Sequence, residues 1–345
     1  MAKTPHIFTG AGNNFVVFDG REGGMEEYRQ PERIQALCRE YATDGLMILG
    51  DARSVSGMAS HCHSERSPKG EVEESPAYDF SMEFYNPDGS GGMMCGNGGR
   101  CIVAFADYLG LKPAAPDGTW RFLAPDGPHT ATILSAPSYE AGKVPLTNGE
   151  GLILGQGPSP VKSHLEPSTE VSVGKVLPLK RDLHQNTPGP SSNGVETFPK
   201  WTVRLKMIDV QGVKPVLNGY FLNTGTRHYV QFVEDVDAID MEQEAKPIRW
   251  ADEFQPEGTN VNFVQVTPQG LKVRTFEKGV EGETLACGTG LTASAIAAYF
   301  SGIHNQVGDD GHASYHLQCR RGDWLQVEFK PDFTDVYLTG PAEML

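Results

Sequence analysis

Two short segments constrain this chain more than anything else in it: Cys95-Gly96-Asn97-Gly98 and Cys287-Gly288-Thr289-Gly290. Each is a Cys-Gly-x-Gly turn that opens into an apolar helical run. Each run ends at a glycine fifteen residues beyond its cysteine, Gly110 and Gly302. The same device therefore occurs once in each half of the sequence. A cysteine at a helix start lies in the positive field of unpaired backbone N–H groups, which favours the thiolate and lowers the thiol pKa. Two such cysteines facing one another would place matched acid and base groups on opposite sides of one small ligand.

The rest of the chain reads as two lobes of similar plan. In the first half, 7–8, 15–18, 46–49 and 82–86 have the character of strands, with a tight Gly10-Ala11-Gly12-Asn13-Asn14 turn between the first two. Pro31 opens a helix over 31–40 that carries Ile34, Leu37 and Cys38 on one face. After the first cysteine, Ile102, Val103, Phe105, Ala106 and Leu109 repeat at helical spacing. In the second half, 202–207, 219–222, 228–232, 261–266, 272–276, 324–329 and 335–338 read as strands. The helix after Gly290 carries Ala293, Ile296, Ala297 and Phe300 on one face. Many strands with few helices predict an α+β fold. Residues 54–77 are polar, charged and without period, as a surface loop would be. The stretch 136–200, rich in Pro, Ser, Gly and Asn, reads as an irregular linker expanded by an insertion, with short strands at 151–154 and 171–173. That leaves 1–135 as an N-terminal lobe and 201–330 as a C-terminal lobe.

Composition narrows the partners. A net charge of −15 over 345 residues argues against nucleic acid or an anionic membrane and favours a small-molecule ligand. No apolar stretch approaches the roughly 20 residues that span a bilayer, and no signal peptide is evident. The six cysteines contain no C-x-x-C pair, so neither a disulfide scaffold nor a metal cage is expected. Free thiols point to a reducing cytoplasm, which also disfavours a Cys95–Cys287 disulfide, the competing use of the pair.

Glycines at 96, 98, 288 and 290 let backbone N–H groups approach a ligand closely, and successive N–H groups at a helix start suit a carboxylate. A thiolate on one face of the neighbouring carbon could remove its proton while a thiol on the other returns one. The stereocentre would invert with no cofactor and no metal.

The motifs resemble those of the diaminopimelate epimerase family, pyridoxal-independent enzymes of lysine and cell-wall precursor synthesis. The matching segments are Gly10-Ala-Gly-Asn-Asn-Phe15, Asn86-Pro-Asp-Gly-Ser90, Met94-Cys-Gly-Asn-Gly-Gly-Arg-Cys101, Gly258-Thr-Asn-Val-Asn-Phe263 and Arg274-Thr-Phe-Glu-Lys-Gly279, running into Glu283-Thr-Leu-Ala-Cys-Gly-Thr-Gly290. The resemblance implies that each lobe is a mixed or antiparallel sheet wrapped around a central helix, pseudo-symmetric with the other. It also implies that the C-terminal strand, within 331–345, completes the N-terminal lobe. Cys95 and Cys287 would be the proton-transfer residues of a homodimeric enzyme that converts LL-2,6-diaminopimelate to the meso form. Gly96, Asn97, Gly98, Gly288 and Thr289 would hold the reacting centre. Asn13, Asn86, Asn260, Glu277 and Lys278 would bind substrate, and His228 and Glu277 would tune the cysteines.

Departures from the family pattern are Lys278 where arginine is usual, Arg227 where proline is usual before the histidine, Thr226 for an asparagine, and Gly45 for a glutamine. A lysine offers a point charge where arginine would clamp a carboxylate with two parallel bonds. Competing readings are a proline or hydroxyproline racemase of the same fold, a phenazine-type isomerase, and a non-catalytic thiol sensor. Asn97, where the racemases typically carry histidine, opposes the first, and the cysteine pair opposes the second.

Overall fold

The computed structural model describes residues 3–52, 78–92, 94–138, 198–303 and 310–345. The expected loop at 54–77 and the short strands at 151–154 and 171–173 lie outside the described residues, as does most of 136–200.

Elements run in the order β1 (His6–Gly10), β2 (Asn13–Asp19), α1 (Pro31–Tyr41), β3 (Gly45–Gly50), β4 (Phe80–Tyr85), α2 (Gly96–Tyr108), β5 (Thr119–Ala124), β6 (Gly127–Ser135) and β7 (Lys200–Lys206). There follow β8 (Lys214–Val216), β9 (Gly219–Asn223), β10 (Arg227–Phe232), α3 (Met241–Arg249), β11 (Asn260–Thr267), β12 (Gly270–Glu277), β13 (Gly282–Thr284), α4 (Gly288–Phe300), β14 (Ala313–Gln318), β15 (Trp324–Phe329) and β16 (Tyr337–Met344).

The strands form one continuous mixed sheet in the order β1 through β7, then β16, β15, β14, β12, β11, β10, β9 and β8. Because β16 also pairs with β1, the strands β1–β7 and β16 close into a barrel-like lobe around α2. The segment 200–206 pairs with β6 and β16 and packs on α2. The second lobe curls β9–β12, β14 and β15 around α4.

The two lobes repeat one plan. Strands β2 and β3 pair in parallel across α1, as β10 and β11 do across α3. Strands β4 and β5 pair in parallel across α2, as β12 and β14 do across α4. The α+β architecture of two lobes, each wrapped around a helix, is therefore present.

The apolar runs explain the layering. Phe15 and Val17 of β2 and Met47 and Leu49 of β3 face α2, whereas Val16, Phe18, Leu46 and Ile48 face Ile34, Leu37 and Cys38 of α1. A strand covered on both faces reads as a continuous hydrophobic run. The same holds in the second lobe: Val230 and Val264 face α4, while Tyr229, Val261 and Phe263 pack with Met241 and Ala245 of α3. Both central helices end where the chain turns left-handed, at Gly110 (φ 79°) and Gly302 (φ 80°), as a helix C-terminus favours.

Candidate active site

The two helix starts meet at the seam between the lobes. Cys95 caps α2 with extended backbone, and its Sγ accepts the Gly98 N–H at 3.2 Å. Cys287 occupies the same capping position on α4. A Cβ built on Gly96 would lie 3.7 Å from the Gly288 Cα, and one built on Gly288 would lie 3.5 Å from the Gly96 Cα. Both would press Leu338 of β16, at 3.1 and 3.0 Å. Hydrogen at both positions is what lets the two backbones, and with them the two helix starts, approach so closely. Both cysteines are free thiols. Asn97 crosses the seam: its Nδ2 donates to Asn13 Oδ1 at 2.5 Å and to the carbonyl of Ala286 at 3.5 Å.

A second network runs from β11 to Cys287. Asn262 Nδ2 donates to the Tyr229 carbonyl at 2.9 Å, and its Oδ1 accepts from Thr275 at 2.9 Å. A carbonyl can only accept, so these bonds fix the amide and make Nδ2 the donor to His228 Nδ1, 3.0 Å away. The proton of the neutral imidazole is therefore on Nε2. That nitrogen lies 3.0 Å from Thr289 Oγ1 and 2.9 Å from Thr226 Oγ1. With a lone pair taken by His228, the Thr289 hydroxyl can turn its hydrogen to Cys287 Sγ, 3.4 Å away. The Nε2 hydrogen is thus shared between the Thr226 and Thr289 hydroxyls, themselves 3.2 Å apart, and the network reaches Cys287 through Thr289. Burial holds the His228 pKa down to about 3, so the ring is neutral at ordinary pH.

Glu277, at the end of β12, also bonds the Cys287 thiol. Thr284 Oγ1 donates to its Oε1 at 2.5 Å. Burial raises the Glu277 pKa against the pull of those two bonds. The thiols depart from the sequence expectation. Burial pushes both above their ordinary value. At Cys95 the Gly98 N–H pulls the other way; at Cys287 the Glu277 carboxylate adds to the rise, against Thr289 and the Gly290 N–H. Desolvation of a thiolate outweighs the field of the helix start.

The remaining expected residues fall as follows. Asn260 Nδ2 donates to Thr226 Oγ1 and to the Arg227 carbonyl, and its Oδ1 accepts the Lys278 backbone N–H at 2.7 Å. The Lys278 side chain is exposed. Asn86 bonds Ser90 within the turn that follows β4. Arg227 does not turn its charge toward the thiols: it lies over Phe221 and pairs with Glu257, on the face of β10 opposite His228. Thr226, in the place of an asparagine, joins the His228 network. Three residues of the site escape sequence reasoning: Arg100, which bonds Asn97, and Asn262 and Thr284, which hold His228 and Glu277. All three lie inside the motif segments quoted above, and Arg100 is also the lone cation of its helix. Among the described residues no cluster of His, Cys, Asp or Glu could hold a metal, and no helix is long and apolar enough to cross a membrane.

Known proteins carry the same plan. Residues 220–345 match the family model described as diaminopimelate epimerase. The diaminopimelate epimerase of Chlorobaculum tepidum is 31% identical, over 97% of this chain and 96% of its own length. The chain belongs to the diaminopimelate epimerase family. It is accordingly an isomerase. The diaminopimelate epimerase of Aquifex aeolicus is also 31% identical, over 96% of this chain and 91% of its own. Among solved structures, a predicted epimerase from Pseudomonas aeruginosa superposes with a TM-score of 0.54 at 12% identity, covering all of this chain and 97% of that one. A PhzF-family protein from Enterococcus faecalis gives 0.50 at 12% identity, covering all of this chain and 97% of that one. These distant structures share the diaminopimelate epimerase-like fold.

Proposed function

We propose that this enzyme epimerises LL-2,6-diaminopimelate to the meso form, with Cys95 and Cys287 as a two-sided proton-transfer pair. The observation that carries the reading is the approach of the two cysteine-capped helix starts across Gly96 and Gly288. A substrate α-carboxylate seated on the converging N–H groups would put the α-carbon between the two sulfurs. Glu277 takes the proton of Cys287, its burial having made it a stronger base than a free carboxylate. The Thr289 hydroxyl then donates to the resulting thiolate. As the thiolate removes the α-proton, the S–H bond forms, the C–H bond breaks, and the electron pair moves into the carboxylate, where the helix N–H groups stabilise it. Cys95 delivers its proton to the opposite face. In the reverse direction the two sulfurs exchange roles. The reaction belongs to lysine and peptidoglycan-precursor synthesis in the cytoplasm, carried out by a homodimer.

The test is α-proton exchange in deuterium oxide under reducing conditions, followed by NMR, with LL-diaminopimelate and L-proline offered separately. Exchange with diaminopimelate alone supports the reading. Exchange with proline alone would assign the site to the racemases, and no exchange with either would remove the enzymatic reading of the cysteine pair.

A further inference from the structure

Arg100 is a fully buried guanidinium on α2, one turn from Cys95. Among the described residues no carboxylate pairs with it. Its partners are all neutral oxygens: Nε donates to the Pro341 carbonyl of β16 at 3.3 Å, Nη1 to the Gly96 carbonyl at 3.1 Å, and Nη2 to Asn97 Oδ1 at 2.7 Å. Burying a charge against neutral groups alone is expensive. A purely structural staple between α2 and β16 could be built from an uncharged side chain at lower cost.

What the guanidinium does, alongside the longer bond from Asn97 Nδ2 to the Ala286 carbonyl at 3.5 Å, is fix two amides in sequence. It has donors only, so the oxygen of Asn97 must face it. The Asn97 nitrogen is thereby turned away, and it donates to Asn13 Oδ1 at 2.5 Å. That bond occupies the oxygen of Asn13 in turn. The Asn13 Nδ2 is left as the outward group, and it has no partner among the described residues. A free amide donor beside two helix N-termini suits a carboxylate, and a flipped amide would present a repelling oxygen instead.

We propose that Arg100 is a positioning residue: by orienting Asn97 and through it Asn13, it presents Asn13 Nδ2 as a hydrogen-bond donor to a substrate carboxylate. The proposal rests on the reading of the seam as the active site. The positive charge of Arg100 also favours a Cys95 thiolate, against the burial that opposes it.

Two variants of the full chain, R100K and N13D, test this by steady-state kinetics with LL-diaminopimelate. Lysine keeps the charge but cannot hold three oxygens at once. N13D keeps an oxygen for Asn97 to bond and replaces the outward donor with an acceptor. Both are expected to fold, and both to raise KM by about ten- to a hundredfold, the effect of one charge-assisted hydrogen bond. A structural role would lower only the melting temperature of R100K. Wild-type KM in folded R100K, or in N13D, overturns the proposal. N13D still decides it if R100K fails to fold. If the wild-type chain itself turns over no diaminopimelate, it is the functional reading that fails.

Discussion

His228 and Cys287 do not touch: the Thr289 hydroxyl lies between them, 3.0 Å from the imidazole Nε2 and 3.4 Å from the sulfur. Any hydrogen-bonded link from the histidine to this thiol therefore runs through Thr289. A ring whose pKa is held near 3 is no proton acceptor at neutral pH, but its Nε2–H can orient the threonine hydroxyl toward sulfur.

Removing that hydroxyl breaks the relay. Thr289→Val keeps the side-chain shape and is expected to lower kcat about ten- to a hundredfold, as loss of a hydrogen bond to a charged group would. Thr289→Ser should retain most activity. The pH dependence of Cys287 alkylation, read by mass spectrometry, should move to higher pH in Thr289→Val and stay in place in Thr289→Ser.

The depressed His228 pKa has a consequence for stability. Between pH 6.5 and about 3 the unfolded chain binds a proton at this residue and the folded chain does not. Stability from this group is fully present above pH 6.5 and is lost as pH falls toward 3. His228→Gln lacks the group, so its urea midpoint should fall less between pH 7 and pH 5 than that of the wild type. An equal fall in both would contradict the buried, neutral ring.

Gly290 supports the same network through space. A Cβ there would stand 2.5 Å from Asn262 Oδ1 and 3.2 Å from Thr275 Oγ1, which are the contacts that fix the Asn262 amide. Gly290→Ala is expected to destabilise the chain by about 1–3 kcal/mol, the usual cost of overpacking, and to reduce turnover beyond the loss of folded protein. Urea unfolding paired with the exchange assay measures both.

The long apolar runs and the two cysteine motifs made much of the fold legible in the sequence, because strands buried on both faces and helices buried all round leave an unmistakable pattern. Helix α3 left almost none. Only Met241 and Ala245 of its nine residues are buried and apolar, and Pro247 lies inside it, a residue that ordinarily ends a helix. The repeat offered a route to it, since α3 occupies the place between β10 and β11 that α1 occupies between β2 and β3. The hairpin of β5 and β6 was legible in principle: Trp120, Phe122 and Ala124 alternate inward before a Pro-Asp-Gly turn. At the site, the cysteines and glycines announce themselves by spacing. Spacing predicts a lowered thiol pKa, whereas burial raises both thiols, and burial is a property of the assembled cleft. Asn262, Thr284 and Arg100 act through partners brought close only by the sheet and by the meeting of the two lobes.

The central claim is that both sulfurs move protons at one carbon. Cys95→Ala and Cys287→Ala, each shown folded by its melting curve, test it in the LL-diaminopimelate exchange assay. The account predicts that neither variant converts the LL substrate to the meso form. Undiminished epimerisation by either one would contradict it.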